Sequence, residues 1–126
     1  MAAKILVVED DQSLRELIRL HLSNAGYEVR VAEDGIAAGY VVLRDPPDLI
    51  ISDVHMPHMD GFTFVAALRA DPALPRFPVI FLTSHTEGDD IGKELGAVAY
   101  LGKPVRSDRL LELVAQHVPD GKYSIG

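Results

Sequence analysis

Short apolar runs alternate along the chain with longer stretches in which apolar residues recur at helical spacing. The apolar runs predict β-strands over residues 4–8, 27–32, 49–52, 78–83 and 98–101. The helical spacing predicts helices over residues 13–24, 35–45, 61–70, 87–95 and 107–118. Because each predicted strand is followed by a helix, the pattern implies an α/β protein with a parallel sheet, right-handed crossovers and helices on both faces.

The composition fits one globular domain of ordinary size. The chain has 126 residues, 48% of them hydrophobic, and a net charge of -7, with a pI near 5.0. An acidic surface argues against direct binding to nucleic acid or to an anionic membrane. The chain has no cysteine and no apolar stretch near the ~18 residues of a membrane span, so we expect a cytoplasmic domain without disulfides.

Chemically reactive side chains follow four of the five predicted strands. The carboxyl ends of parallel strands meet at one edge of a sheet, so these side chains should converge there. They are Glu9 and Asp10 after the first strand, Asp53 and His55 after the third, Thr83, Ser84 and His85 after the fourth, and Lys103 and Pro104 after the fifth.

The convergence of carboxylates predicts a site for a hard divalent cation, because carboxylates crowded together repel one another and such cations prefer oxygen ligands. A cation held by Glu9, Asp10 and Asp53 would neutralise phosphoryl oxygens, and Asp53 would be the nucleophile that accepts a phosphoryl group. Lys103 would supply a positive charge and Thr83 a hydrogen bond. The set therefore fits phosphoryl transfer to a carboxylate.

Each residue taken alone also has a plainer explanation. Asp10 or Asp11 could cap the helix that follows them, and Thr83 with Ser84 could cap the next helix along the chain. Lys103 could be an ordinary exposed lysine. These explanations account poorly for reactive groups at four of five strand ends.

Taken in order, the motifs resemble the receiver domain of two-component response regulators. The matching pieces are ILVVEDD at 5–11, AEDG at 32–35, PDLIISD at 47–53, MPHMDG at 56–61, PVIFLT at 78–83 and YLGKP at 100–104. The resemblance covers residues 4–118, and residues 119–126 would be a C-terminal tail or a truncated linker. It implies a flavodoxin-like, doubly wound (βα)5 three-layer sandwich with a five-stranded parallel sheet in the order 2-1-3-4-5.

The resemblance also implies roles for the site residues. Asp53 would accept a phosphoryl group from a histidine kinase or a histidine phosphotransfer protein. Mg2+ or Mn2+ would bind Glu9, Asp10, Asp53 and the backbone carbonyl of His55. Lys103 would pair with the phosphoryl group, and its peptide bond to Pro104 would be cis.

The resemblance implies a signalling switch rather than a turnover enzyme, with self-phosphorylation and self-dephosphorylation only. Thr83 and Tyr100 would move when Asp53 is phosphorylated. The altered surface, over residues 87–118, would contact an output partner that the sequence does not identify, and a homodimer would use the same surface. We expect neither nucleic acid nor a membrane as a direct partner.

Three residues that flank the predicted phosphorylation site depart from the usual family pattern. Ser84 stands where the family more often has alanine, and it is still small. His55 and His85 lie two residues after Asp53 and Thr83. We hypothesise that they influence how water removes the phosphoryl group, with a pH dependence where histidine titrates; alternatively, both imidazoles face solvent.

Other functions compete with this interpretation. A pseudo-receiver would bind a partner without phosphorylation, and it need not keep the set Asp10, Asp53, Thr83 and Lys103. A phosphatase resembling haloacid dehalogenases would need an aspartate two residues after its nucleophile, where this chain has His55. A flavin-binding protein of similar fold would bind phosphate after the first strand, where this chain is acidic.

Overall fold

The structure is a computed structural model, which describes residues 2–56, 58–84 and 95–118. Its elements are β1 (Lys4–Val8), α1 (Gln12–Asn24), β2 (Glu28–Ala32), α2 (Gly35–Arg44), β3 (Leu49–Asp53), α3 (Gly61–Ala70), β4 (Val79–Thr83), β5 (Ala99–Gly102) and α4 (Ser107–His117). Each begins and ends within one residue of its predicted bounds. The predicted helix over residues 87–95 lies outside the described residues except for its last position.

The five strands form one parallel sheet in the order β2-β1-β3-β4-β5. The predicted α/β class and the strand order that the resemblance implies are therefore confirmed. Of the three inner strands, β3 and β4 are buried along their whole length, and β1 is buried except at Lys4. This burial explains their continuous apolar sequence, because helices on both faces leave no side of an inner parallel strand in water.

The sheet separates two hydrophobic cores, and alternate residues of each strand enter one or the other. In β1, Ile5 and Val7 join the core beneath α1 and α4. Leu6 and Val8 join the core beneath α2 and α3. The two cores fix the sheet from both sides and so hold its carboxyl edge in place.

Three helices begin with an aspartate that caps the first turn. The side chains of Asp11, Asp34 and Asp60 accept hydrogen bonds from backbone N–H groups three residues further on, at 3.1, 2.8 and 2.7 Å. At the start of α1 the capping residue is thus Asp11, which leaves Asp10 available for another role. Among the described residues, none of the helices has the length and apolar character to cross a membrane.

Candidate functional site

The strand register brings the residues after β1 and β3 side by side. Val8 pairs with Ser52 in the sheet, so Glu9 and Asp53 follow as neighbours at the carboxyl edge. The backbone N–H of Glu9 donates to the carbonyl of Ala32 at 3.1 Å, which holds this residue against β2. The two carboxylates are therefore positioned by the sheet itself rather than by a loose loop.

Three carboxylates converge at this edge, as the sequence predicts. Oxygen atoms of Glu9, Asp10 and Asp53 all lie within 4.8 Å of one another. Glu9 is 0% exposed and Asp53 is 4% exposed, whereas Asp10 is open to solvent. The cluster thus has a buried floor and one side accessible to a cation or a phosphodonor.

Lys103 follows the edge strand β5 and reaches the same cluster. Its Nζ lies 3.1 Å from Asp53 Oδ2 and 3.3 Å from Glu9 Oε1. Its backbone N–H donates to the carbonyl of Thr83 at 2.9 Å, which ties the residue to the end of β4. Burial alone would lower the pKa of Lys103, but its pairing with the two carboxylates outweighs burial and raises that pKa. Lys103 is thus a component of the site and not an ordinary exposed lysine.

Glu9 carries the clearest electrostatic signature of the site. Burial, followed by the nearby negative charge of Asp53, raises the pKa of Glu9 to about 7, although Lys103 acts in the opposite direction. Its Oε2 is buried and has no hydrogen-bond partner within the described residues. An unpartnered oxygen beside two other carboxylates is the donor set that suits a hard divalent cation.

Gly61, at the start of α3, lets this helix approach the strand end that carries Asp53. A Cβ on Gly61 would lie 2.2 Å from the backbone oxygen of Asp53 and 3.0 Å from Ser52 Oγ. The N–H of Gly61 donates to the carbonyl of Val54 at 2.8 Å, and the hydroxyl of Ser52 donates to the carbonyl of Asp53 at 3.0 Å. The sequence places Gly61 in the MPHMDG motif and at the start of a predicted helix, but it does not indicate this contact.

The remaining predicted residues are buried to different extents. Thr83 is nearly buried, at 8% exposure, and Tyr100 is half-buried, its ring 6.0 Å from that of Phe81 between centroids. Ser84 and His55 are exposed.

The peptide bond between Lys103 and Pro104 is cis, as the resemblance implies. His85 lies outside the described residues, so its position relative to Asp53 stays a prediction. The predicted partner surface over residues 87–118 is described only from residue 95 onwards.

The parallel α/β sheet carries an acidic cluster and a lysine at its carboxyl edge, which is the arrangement that the resemblance to receiver domains implies. The family described as "Response regulator receiver domain" matches residues 5–115 of the chain. The chain therefore belongs to the response regulator receiver domain family, and it is the receiver domain of a two-component response regulator.

Individual relatives agree with this assignment. The chain is 40% identical over 109 residues to the transcriptional regulatory protein GltR of Pseudomonas aeruginosa, covering 85% of this chain and 45% of GltR. It is 43% identical over 107 residues to the response regulator PleD of Caulobacter vibrioides, covering 83% of this chain and 24% of PleD. The chain thus spans less than half the length of these two relatives.

The fold is also close to solved structures of the same class. The chemotaxis response regulator CheY4 of Vibrio cholerae, in a crystal form grown at low pH, is 38% identical with a TM-score of 0.88, covering 94% of this chain and all of CheY4. A relative of similar length therefore has the same strand and helix arrangement.

Proposed function

We propose that Asp53 is the phosphoacceptor of this receiver domain and takes its phosphoryl group from a histidine kinase or a histidine phosphotransfer protein. The observation that carries the proposal is the convergence of three carboxylates and one lysine at one strand edge, with Lys103 Nζ 3.1 Å from Asp53 Oδ2. A pseudo-receiver, which binds its partner without phosphorylation, need not keep these three carboxylates and the lysine together.

In the proposed transfer, a carboxylate oxygen of Asp53 attacks the phosphorus of a phosphohistidine. The P–N bond breaks, the imidazole nitrogen leaves with the electron pair, and an acyl phosphate forms on Asp53. The ammonium group of Lys103, which pairs with Asp53 and Glu9 beforehand, then binds a phosphoryl oxygen. Thr83 lies at the end of the neighbouring strand β4, and its hydroxyl donates a hydrogen bond to a second phosphoryl oxygen.

We propose that Glu9, Asp10, Asp53 and the backbone carbonyl of His55 hold Mg2+ or Mn2+. When bound, the cation supplies positive charge that neutralises the phosphoryl oxygens. The raised pKa of Glu9 and its unpartnered Oε2 support this assignment, because both describe a buried carboxylate whose negative charge is not fully compensated by Lys103.

We further propose that phosphorylation is reported through Thr83 and Tyr100 to the surface over residues 87–118. The charged acyl phosphate would favour one of two arrangements of this surface, which then binds an output partner or a second receiver domain. With a net charge of -7, the domain itself is not expected to bind nucleic acid or a membrane.

The test is phosphorylation by acetyl phosphate with Mg2+, followed by intact-mass spectrometry. We expect one added phosphoryl group, which is absent when the cation is chelated and absent in Asp53→Asn. The matched control is Asp108→Asn, an exposed aspartate of α4, which should be phosphorylated as the wild type is. An unmodified wild-type chain that also fails to bind beryllofluoride would contradict the proposal and favour a pseudo-receiver.

A further inference from the structure

Helix α2 exposes a line of large apolar side chains to solvent. Ile36 is 49% exposed, Tyr40 is 64% exposed and Leu43 is 66% exposed. Their spacing of four and three residues places them on one stripe of the helix, which we call the α2 ridge. The ridge faces away from the core, which α2 contacts through Ala38 and Val42, so the fold itself does not explain its apolar character.

A groove of about 330 Å³ lies between α2 and α3, and the three residues of the α2 ridge form one of its walls. Its lining is mainly apolar and includes Gly39, Met59, Ala67, Leu68 and Leu74, with Asp71 as the charged member. A Cβ added to Gly39 would meet nothing within 4 Å. The glycine is therefore not required by packing within this chain, yet it keeps the groove open at the middle of the helix.

Opposite charges flank the two ends of α2. Glu33 lies just before the helix and Arg44 is its last residue, and both are exposed. Neither makes an ion pair within the part of the chain that the structure describes. Arg44 lies on the solvent side of the helix near the angle of Tyr40, four residues earlier, whereas Glu33 precedes the capping residue Asp34 and lies just outside the helix.

We propose that the α2 ridge and the adjoining groove form a self-complementary surface through which two copies of this chain associate about a two-fold axis. In a two-fold pair the same surface serves both copies, so the ridge of each copy packs into the groove of the other. Two antiparallel α2 helices place Glu33 of one copy next to Arg44 of the second copy, and the pairing occurs twice.

The apolar residues define the register of this antiparallel pair. Ile36 of one copy lies opposite Leu43 of the other when the axis passes between residues 39 and 40. This centre lies beside Gly39, where the absence of a side chain permits close approach of the two helices. The ring of Tyr40 would then pack over Gly39 of the second copy.

The surface is small, so the pair is expected to be weak. Three partly exposed side chains and one groove fall well short of the ~800 Å² per partner that stable complexes bury. The association should therefore appear at high protein concentration. It uses a helix outside residues 87–118, and it does not depend on phosphorylation of Asp53.

Cross-linking tests the register directly, because the chain has no cysteine and an introduced one is the sole thiol. Two copies of Gly39→Cys at the axis should lie within the ~4.4–6.8 Å Cα separation of a disulfide and form a covalent dimer on oxidation with diamide. The control is Leu20→Cys, on α1 and 47% exposed. Equal cross-linking of the two variants, or none in Gly39→Cys, would overturn the register.

Sedimentation velocity over a range of concentrations tests the surface without an introduced thiol. Leu43→Glu should weaken self-association by about tenfold or more, since it places a charge in an apolar contact, whereas Leu20→Glu should match the wild type. Glu33→Arg and Arg44→Glu should each weaken association, and together they should restore it. A wild-type chain that stays monomeric would overturn the proposal, and so would a Leu43→Glu variant that dimerises as the wild type does. Binding of a foreign amphipathic helix in the groove would not change either conclusion.

Discussion

Replacing Glu9 with glutamine should change how the stability of the domain depends on pH when no divalent cation is present. Burial and the charge of Asp53 raise the pKa of Glu9 from an ordinary 4.5 to about 7. The folded state therefore keeps a proton on Glu9 over a pH range in which the unfolded chain has lost it. Raising the pH through this range favours the unfolded state, because ionised Glu9 is better accommodated in water.

The size of the effect follows from the two pKa values. Each unit between them corresponds to about 1.4 kcal/mol, so the interval from 4.5 to about 7 gives about 3 kcal/mol at most. The stabilisation is complete below pH 4.5, declines as the pH rises, and is lost above pH 7. Glu9→Gln removes the titrating group while preserving its shape. Relative to the wild type, this variant should therefore gain stability by up to about 3 kcal/mol from pH 4.5 to pH 8.

Urea denaturation in the presence of a chelator measures this difference. The free energy of unfolding is determined for the wild type and for Glu9→Gln at several pH values, and only the difference between the two curves is interpreted. Glu28→Gln, an exposed glutamate on β2, is the control and should follow the wild type at every pH. Parallel curves for the wild type and Glu9→Gln would refute the reasoning, since they would show that Glu9 titrates alike in both states.

Three further outcomes follow from the site. Lys103→Met should destabilise the domain by about 1–3 kcal/mol at pH 7.5 and by less at pH 5, where Glu9 is protonated. Urea denaturation at the two pH values measures this difference, and an equal loss of stability at both would contradict the prediction. Gly61→Ala should lower the free energy of unfolding by about 1–3 kcal/mol, because its Cβ would lie 2.2 Å from the carbonyl of Asp53. The control Gly39→Ala, whose Cβ would meet no atom within 4 Å, should raise it by up to about 1 kcal/mol. Similar effects of the two substitutions in urea denaturation would show that the close approach does not matter. Mg2+ at 100 times its Kd should stabilise the wild type by about 2.7 kcal/mol in thermal unfolding, and an equal gain in Asp53→Asn would place the cation elsewhere.

The sequence predicted the fold closely because its signals are local and repeated. Each strand is a short apolar run, and turns marked by residues such as Gly26, Gly96 and Pro72 separate the elements. The rule that parallel strands end at a common edge then brings Glu9 and Asp53 together without any knowledge of contacts. The observed register agrees with this inference, because Val8 pairs with Ser52 and so places Glu9 beside Asp53.

Other features depend on distances that a sequence pattern does not contain. Whether Asp10 or Asp11 caps α1 depends on the helix beginning at Gln12, one residue before its predicted start. The contact of Gly61 with the carbonyl of Asp53 depends on how closely α3 approaches β3. The exposure of apolar side chains on α2 likewise could not be predicted from the sequence. Ile36 and Leu43 are residue types that usually lie in the core, and only the packing shows that they face water.

The charges around Asp53 connect the pH effect with the cation effect. Lys103 pairs with two carboxylates at once, at 3.1 and 3.3 Å, so a single positive charge faces two buried negative ones, with Asp10 as a third at the rim. Without a cation the imbalance is relieved by a proton on Glu9 up to about pH 7. A divalent cation relieves the same imbalance, and it must displace that proton to use the carboxylate as a ligand. Proton and cation therefore compete for Glu9, so cation affinity should rise with pH towards 7 and become nearly constant above it.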